Sequence, residues 1–350
     1  ADMNDLLMAT DVLVTDYSSS IFEFALLRRP IVLFVPDLTE YAGSRSFYRP
    51  FSAYATGPVV EDPSELVGAL RDATVDPAAL TAFLEEFCGA LDGRSTQRIV
   101  DRMLLSDSTR VDVDEETVAP GSVEPTRVDG LMGVRVLAAH LTRIVLSAVY
   151  APLKLLPVQR KVVMISREHP TVPDDFTDLA ASLIRQDPGV RVVMLVRMVP
   201  PGVIRKIRYA AHLLHQLYHV ATARVVVVDT YAIVASVLRH RDELTVIQMW
   251  HALGAFKKFG LSILGREEGR DQRLARAMRM HAGYDIVLTS GEDCRPAFAE
   301  AFGAPLERVR VAPLPRVDRL RDPEARARTR ERILEALPHL AGRRVAVFAP

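Results

Sequence analysis

Short apolar runs alternate with amphipathic stretches along most of the chain. Residues 11–15 (DVLVT) form a β-branched run that is typical of a buried strand, and apolar side chains at helical spacing follow over 19–28. The same alternation returns from residue 161, where KVVMIS and later ARVVVVDT are separated by helical patterns. Strands that alternate with helices predict doubly wound, parallel sheets of the Rossmann-like α/β class.

The pattern places strands and helices at definite positions. The predicted strands cover residues 11–15, 31–35, 161–166, 190–199, 223–230, 244–252, 285–290, 308–315 and 343–350. The predicted helices cover residues 3–9, 19–28, 63–72, 77–90, 93–105, 175–186, 203–220, 231–239, 271–281, 292–302 and 323–336.

These elements divide the chain into several segments. Residues 1–105 are predicted to be the carboxyl-terminal half of one Rossmann-like domain, and residues 158–322 are predicted to be a second Rossmann-like domain with about six strands. Residues 106–130 carry charges, Pro and Gly without periodicity and are predicted to be a linker. Residues 323–350 are predicted to be the helix and first strand of a further, truncated domain.

The segment 131–157 is mostly apolar, but Arg135, His140 and Arg143 interrupt it. A spanning helix needs about 20 almost uninterrupted apolar residues, so these side chains disfavour a membrane crossing. An amphipathic helix at a membrane surface and a helix packed on its own domain both fit the pattern.

Composition and charge narrow the classes of partner. The chain has 350 residues, of which 49% are hydrophobic, and 44 basic side chains balance 44 acidic ones. This balance gives no general attraction to nucleic acid, so no nucleic-acid partner is expected. Cys88 and Cys294 lie far apart and make neither a disulfide framework nor a metal-binding spacing, which favours a reducing cytoplasm and predicts neither metal nor cofactor.

The stretch DVLVTDYSSSIFEFALL, residues 11–27, is a first candidate site. Ligands collect at the carboxyl ends of parallel strands, where the helix that follows presents free N–H groups. Ser18 or Ser19 is expected to cap that helix beside a bound phosphate, and Asp16 to orient a hydroxyl or the loop. The alternative is an ordinary helix cap without a ligand.

Two further candidates follow later strands. In VIQMWHALGAFKKFG, His251 ends an apolar strand and is suited to act as a general base, while Lys257 or Lys258 is suited to neutralise phosphate. In PLPRVDRL, Arg316 and Asp318 follow a strand. The alternatives are a histidine at the core edge with two solvated lysines, and a surface ion pair.

Taken together, these stretches resemble a known family. DMNDLLMATDVLVTDYSSSIFEFALLRRPIVLF resembles the carboxyl-terminal half of the CDP-glycerol glycerophosphotransferases. VIQMWHALGAFKKFG, YDIVLTSGEDCRPAFAEAFG and PLPRVDRL resemble the amino-terminal half of the same family. The resemblance implies a GT-B-type fold of two Rossmann domains. One departure is Ala252, where many members carry glycine.

The order of the two halves differs from the family, because here the Trp-His half follows the Asp-Tyr-Ser-Ser half. The simplest interpretation is the end of one module joined to the start of another. His251 and the serines are then expected to serve different clefts, and the isolated chain is expected to be nearly inactive.

The resemblance also implies a reaction, namely transfer of glycerol phosphate or ribitol phosphate from CDP-glycerol or CDP-ribitol to a polyol-phosphate polymer or primer of the teichoic acid type, with release of CMP. It implies His251 as the catalytic base. The residues expected to hold the donor pyrophosphate are Asp16, Tyr17, Ser18 and Ser19. Those expected to bind substrate or its phosphate are Trp250, Lys257, Lys258, Arg316 and Asp318.

The family resemblance further implies a cytoplasmic enzyme bound peripherally to the inner face of the cell membrane. Two alternatives remain open at this point. One is a GT-B glycosyltransferase that uses a nucleotide sugar, because a fold does not fix its function. The other is a non-catalytic module that binds polymer or membrane, which the Ala252 departure weakly favours.

Overall fold

The computed structural model describes residues 3–44, 47–101, 130–168, 170–198, 203–265, 269 and 271–350. The predicted linker over 106–130 lies outside these residues except for Gly130, where a helix begins. The predicted α/β architecture is confirmed, because strands and helices alternate through both parts of the chain.

The described part contains ten strands and fourteen α-helices. The strands are β1 Val12–Thr15, β2 Ile31–Phe34, β3 Val59–Val60, β4 Lys161–Ser166, β5 Arg191–Val196, β6 Val225–Val228, β7 Thr245–Gln248, β8 Ile286–Thr289, β9 Val309–Val311 and β10 Ala346–Ala349. The helices are α1 Met3–Ala9, α2 Ser20–Ala25, α3 Leu38–Ser44, α4 Leu66–Asp72, α5 Pro77–Phe87, α6 Ser95–Ile99, α7 Gly130–Leu153, α8 Asp174–Gln186, α9 Val203–Ala221, α10 Ile233–Ser236, α11 Gln272–Ala277, α12 Arg295–Phe302, α13 Arg316–Arg321 and α14 Pro323–Ala336.

The strands form two parallel sheets. The smaller sheet has the order β10-β1-β2-β3, and the larger has the order β5-β4-β6-β7-β8-β9. In the larger sheet the chain moves outward from β4 to β5 and then returns across β4 to β6. The order therefore reverses between β4 and β6, and the crevice at the carboxyl ends of these two strands is where doubly wound sheets bind ligands.

The carboxyl-terminal strand joins the sheet of the amino-terminal segment. β10 pairs with β1 in parallel, with Val12 opposite Ala346 and Thr15 opposite Ala349. Asp11 accepts a hydrogen bond from the Val345 amide at 2.9 Å. Residues 323–350 were predicted to open a separate, truncated domain, and instead they complete the sheet of residues 1–105, because β1 is buried on both faces and is paired along both edges.

β7 is shorter than the sequence predicts. The apolar pattern extends the strand over 244–252, but the observed strand ends at Gln248. Trp250 has φ of 61°, which is incompatible with an extended strand, and its N–H donates to Gln248 Oε1 at 2.8 Å. The chain therefore turns sharply just before His251.

An aromatic interface joins the two sheets. The ring of Phe22 on α2 lies directly against Gly254, and the Phe256 ring packs edge-on to Tyr54 with centroids 4.4 Å apart. Tyr54 also donates its hydroxyl to the Ala255 carbonyl at 2.8 Å. One continuous buried cluster consequently includes side chains from both sheets.

Helix α7 lies on the surface of the larger sheet's domain. Its Tyr150 hydroxyl and His240 Nδ1 are 2.9 Å apart, and Arg143 Nη1 donates to the Ala277 carbonyl at 3.5 Å. The segment Met132–Leu153 is long and apolar enough to cross a membrane by length and composition, and 17% of its most apolar window is buried.

We predict that Gly254→Ala destabilises the fold. Gly254 has φ of +64°, and a Cβ would lie 2.4 Å from the Phe22 ring. The left-handed backbone and the overlap together lower the free energy of unfolding by about 2–4 kcal/mol. Urea denaturation measures this loss. Gly68→Ala is the control, because Gly68 lies in a helix and a Cβ there meets nothing within 4 Å, so stability is unchanged or rises. Equal effects of the two substitutions would contradict the close contact between Phe22 and Gly254.

Candidate functional site

A cavity of about 510 Å³ lies where the carboxyl ends of strands from the two sheets approach each other. The loops after β1, β4, β7 and β9 and one face of α1 form its walls. Its lining residues are Met3, Asn4, Leu7, Ser18, Ser19, Ser20, Glu23, Thr171, Val172, Pro173, Asp174, Asp175, His251, Arg316 and Arg319.

His251 enters the cavity from the turn after β7. Its Nδ1 lies 3.0 Å from the Asp229 carbonyl, which belongs to the loop after β6 at the point where the strand order reverses. Because a carbonyl oxygen only accepts, Nδ1 carries the proton in this contact and the neutral ring has its lone pair on Nε2.

Trp250 fixes the position of this histidine. Its indole lies against the His251 ring, with ring centroids 4.0 Å apart. The indole also stacks with the Phe259 ring, with centroids 4.9 Å apart. A left-handed backbone is costly for a bulky residue and persists only where packing enforces it. Trp250 is absent from the cavity lining, so it supports the histidine rather than the cavity surface.

The serines line the cavity, and Ser19 does not form the helix cap that was expected of Ser18 or Ser19. α2 begins at Ser20, and Ser19 at the cap position makes no side-chain hydrogen bond to the helix. Ser18 Oγ instead accepts from the Ser20 hydroxyl at 3.1 Å and more weakly from the Ser20 amide at 3.4 Å. The backbone of Ser19 is already helical, with ψ of −9°, and this orientation differs from the extended one that a capping residue usually adopts.

Asp16 and Tyr17 orient the loop from outside the cavity. Asp16 Oδ1 accepts from the Tyr17 amide, and the Tyr17 hydroxyl donates to Asp37 Oδ1 at 2.8 Å. The Tyr17 ring is buried and stacks on Tyr41 with centroids 3.7 Å apart. Burial, together with the Asp37 hydrogen bond, raises the pKa of the Tyr17 hydroxyl.

Arg316 carries the positive charge of one cavity wall. Its Nε donates to Asp175 Oδ2 at 2.8 Å, and its backbone N–H donates to Asp175 Oδ1 at 2.8 Å. Its Nη1 also lies 3.4 Å from Glu23 Oε1. The first residue of α13 is thereby connected to the first turn of α8 and, across the interface, to α2.

Glu23 is a buried carboxyl of the cavity lining, as is Asp175. It is 5% exposed, and burial raises its pKa to about 7, although the nearby Arg316 charge acts in the opposite direction. A carboxyl with such a pKa changes protonation near neutral pH.

Arg319, one turn after Arg316, is paired with acidic side chains of α8. Its Nη1 lies 2.6 Å from Asp174 Oδ2, and its Nε lies 3.1 Å from Asp178 Oδ2. Burial raises the pKa of Asp178, while the Arg319 charge lowers it by less.

Three other predicted residues contact the amino-terminal segment instead of the cavity. Lys257 Nζ lies 5.6 Å from the centre of the Tyr41 ring, and Lys258 Nζ lies 5.6 Å from the centre of the Tyr48 ring. Lys258 Nζ also pairs with Glu300 Oε1 of its own domain at 3.1 Å. The Asp318 carboxylate accepts from the backbone amides of Ser95 and Thr96, each at 2.9 Å. These side chains stabilise the interface, a role that differs from the phosphate contacts expected of them.

The structure places His251 and the serines along one cavity, whereas the order of the sequence halves predicted separate clefts. The difference arises because Phe22 and Tyr54 pack against residues 254–256, which brings the loop after β1 to the loop after β7.

Glu23, Asp175 and Arg319 line the cavity but were not predicted as site residues from the sequence. A signal for Glu23 was present, since it is an acidic residue within the apolar run of SIFEFALL. Within the described residues, no group of three or more His, Cys, Asp or Glu side chains is placed to hold a metal ion.

Comparison with known proteins identifies the family. The model of CDP-Glycerol:Poly(glycerophosphate) glycerophosphotransferase matches residues 1–105 and 149–350. The chain belongs to this family. The predicted family is therefore confirmed, and both segments of the match contribute to the cavity of this glycerophosphotransferase-family protein, Ser18 and Glu23 from the first and His251 and Arg316 from the second.

Two proteins that are similar to this chain are named as teichoic acid enzymes. A teichoic acid ribitol-phosphate primase of Bacillus spizizenii is 35% identical over 219 residues, which cover 61% of this chain and 56% of the relative. A teichoic acid glycerol-phosphate transferase of Staphylococcus aureus is 40% identical over 103 residues, covering 28% and 26%. The chain thus spans about half the length of these relatives or less. The structure of the wall teichoic acid polymerase TagF is similar over 61% of this chain and 53% of that chain, with a TM-score of 0.38 and 16% identity.

We predict that Asp318→Ala destabilises the protein. The substitution removes the acceptor of two amides, of which Ser95 is fully buried, and this costs about 1–3 kcal/mol of unfolding free energy. Asp76→Ala is the matched control, because Asp76 also accepts two helix amides but in an exposed setting, where the loss is about 1 kcal/mol or less. Urea denaturation compares them, and unchanged stability of Asp318→Ala would contradict the interface role.

Proposed function

We propose that this chain transfers glycerol phosphate or ribitol phosphate from a CDP-alditol to a hydroxyl of a teichoic-acid-type polymer or primer, with release of CMP. The observation that carries the proposal is the single cavity that His251 shares with Ser18, Ser19 and Arg316. Membership of the family and the names of the relatives support this class of donor and acceptor.

The diphosphate of the donor fits the wall formed by Arg316 and the serines. Phosphoryl transfer depends mainly on positioning and on stabilisation of charge on the phosphate oxygens. A guanidinium is planar and keeps its charge at all physiological pH values, which suits it to phosphate oxygens. The hydroxyls of Ser18 and Ser19, which follow β1 of the smaller sheet, add neutral hydrogen-bond donors on the other side of the cavity.

His251 is the proposed general base. The Asp229 carbonyl holds the proton on Nδ1, so the neutral ring accepts a proton from the attacking hydroxyl at Nε2. The hydroxyl oxygen bonds to the alditol-bearing phosphorus as the bond from that phosphorus to the bridging oxygen breaks. CMP leaves with the electron pair, and the proton on His251 passes to solvent.

The shared cavity also bears on the activity of the isolated 350-residue chain. Its expected inactivity rested on separate clefts for His251 and the serines. Because both line one cavity, we propose that this chain itself turns over CDP-alditols.

We predict CMP release when the chain is incubated with CDP-glycerol or CDP-ribitol and a polyol-phosphate primer. His251→Ala lowers the rate at least about 100-fold, because a positioned base contributes a factor of this size. His339→Ala is the control, since His339 is exposed and lies outside the cavity lining. Release of UDP from a UDP-sugar, without release of CMP from CDP-alditols, would favour a glycosyltransferase, and no turnover of either donor would favour a non-catalytic module.

We further propose that the protein binds the inner face of the cell membrane through α7. The residues Val134, Leu137, Leu141, Ile144 and Val145 are each more than half exposed and are spaced to share one face of the helix. The helix contains no acidic residue, and its cationic Arg135 is exposed, which suits an anionic lipid surface. The two buried free cysteines fit the reducing compartment on that side.

Contacts of α7 with its own domain favour an orientation along the bilayer surface. Ala139, Leu146 and Tyr150 on the opposite face are buried in the protein. A helix that crossed the bilayer would have to leave these contacts, whereas a helix lying on the bilayer keeps them and inserts its exposed apolar face.

We predict that the protein binds vesicles containing phosphatidylglycerol, and that Ile144→Glu weakens this binding at least about tenfold through loss of buried apolar area. Ser147→Glu is the matched control, because it adds the same charge to an exposed position on the flank of the helix. Co-sedimentation measures both variants. Equal binding of the two variants, or no binding by the unaltered chain, would contradict the proposal.

A further inference from the structure

Arg316 is held unequally by two carboxylates in the cavity wall. Asp175 accepts from Nε, Nη2 and the backbone N–H of Arg316, with lengths of 2.5–2.8 Å. Glu23 makes the longer contact, 3.4 Å from Nη1 to Oε1. Asp175 is therefore the fixed anchor of the guanidinium, and Glu23 is the weaker partner.

Glu23 is only partly compensated as a buried anion, because the charge of Arg316 and the backbone amides of Glu23 and Leu253 favour its ionised form by less than burial disfavours it. Its Oε2 is buried and has no hydrogen-bond partner among the described residues. Burial raises the pKa of this carboxyl to about 7 despite the attraction of Arg316. An unpaired buried carboxylate oxygen is costly, so the protonated and ionised forms lie close in free energy.

Several charged or titratable groups face Glu23 from the neighbouring elements. Arg316 projects from α13 and Asp175 from α8, and the Cys88 thiol follows α5. The other titratable groups that line the cavity are His251, Arg319 and Asp174. Arg319 is already paired with two aspartates of α8, so Arg316 supplies the positive charge next to Glu23.

The net charge of this cavity wall determines whether it repels or attracts a phosphate. Arg316 carries one positive charge, and ionised Asp175 and Glu23 carry two negative charges, so this group of three has a net charge of −1. Protonation of Glu23 makes the group neutral. An incoming phosphate is therefore repelled by the ionised form and accepted by the protonated form.

We propose that Glu23 is an internal anion that pairs with Arg316 in the free protein and releases it, with uptake of one proton, when a phosphate of the donor reaches the guanidinium. Glu23 is thus a positioning residue that acts through Arg316. This inference rests on the proposed function for the identity of the donor, but its charge exchange applies to any diphosphate diester that enters the cavity.

The exchange makes ligand binding depend on pH in one direction. The ligand's negative charge raises the pKa of Glu23 above its value in the free protein. Binding is strongest below the free-protein pKa of about 7 and weakens up to about tenfold per pH unit above it.

The test uses the whole chain and two probes, CDP-glycerol and P1,P2-dimethyl diphosphate, whose diester charges stay constant between about pH 6 and pH 9. Calorimetry in buffers of different protonation enthalpy counts the protons taken up on binding. At about pH 8 the unaltered protein takes up nearly one proton more on binding than Glu23→Gln does. Glu23→Gln binds each probe at least as tightly as the unaltered protein. Any proton taken up by His251 is common to both proteins.

Glu86→Gln is the matched control, because Glu86 pairs with Arg49 at 3.2 Å and lies outside the cavity lining. It is expected to retain the proton uptake and the pH dependence of the unaltered protein. A second measurement needs no variant. On ligand binding, the infrared difference spectrum of the unaltered protein gains the carbonyl band of a protonated carboxylic acid.

The outcomes separate this inference from the proposed function. Proton uptake that depends on Glu23 with dimethyl diphosphate, without binding of CDP-glycerol, supports the inference and contradicts the proposed donor. CDP-glycerol binding with equal proton uptake in both proteins, or with weaker binding by Glu23→Gln, overturns the inference and leaves the donor supported. Failure of both probes to bind overturns both.

Discussion

The contact between the Phe22 ring and the backbone of Gly254 is the constraint on which the cavity depends. Phe22 follows the serine loop on α2, and Gly254 follows the Trp250-His251 turn, so this contact holds the two loops at a fixed separation. Tyr54 and Phe256 extend the same interface, and no side chain larger than hydrogen fits at Gly254 without displacing the ring. Aromatic burial on this scale stabilises the association of the two sheets, and the cavity is the polar space left at its edge.

The charged side chains of that edge complete the connection between the sheets. Arg316 contacts Asp175 in its own domain and Glu23 across the interface, while Asp318 accepts amides at the start of α6. The same short helix therefore supplies one residue that stabilises the interface and one that lines the cavity. This arrangement explains why the interface and the charge of the site are coupled, and why a buried carboxyl such as Glu23 is tolerated next to a ligand-binding wall.

Part of the site could be predicted from the sequence. Ser18, Ser19, His251 and Arg316 all line the cavity, because each follows a strand and parallel strands present their carboxyl ends on one edge. Asp16, Tyr17, Lys257 and Lys258 were chosen by the same rule, but their side chains turn to neighbours outside the cavity. A rule about strand ends locates a loop, whereas the direction of a side chain depends on the aromatic and acidic groups around that loop.

The sequence by itself determined the type and approximate bounds of most helices and strands, the parallel α/β class and the family. These features follow from the spacing of apolar residues and from short sequence motifs, both of which involve residues that are close together in the chain. Only the tertiary structure decided that β10 pairs with β1, that the two sheets share one cavity and that Arg316 is shared by Asp175 and Glu23. The physical reason is that these contacts join residues far apart in the chain, and their free energy comes from shape and charge complementarity that no local pattern contains.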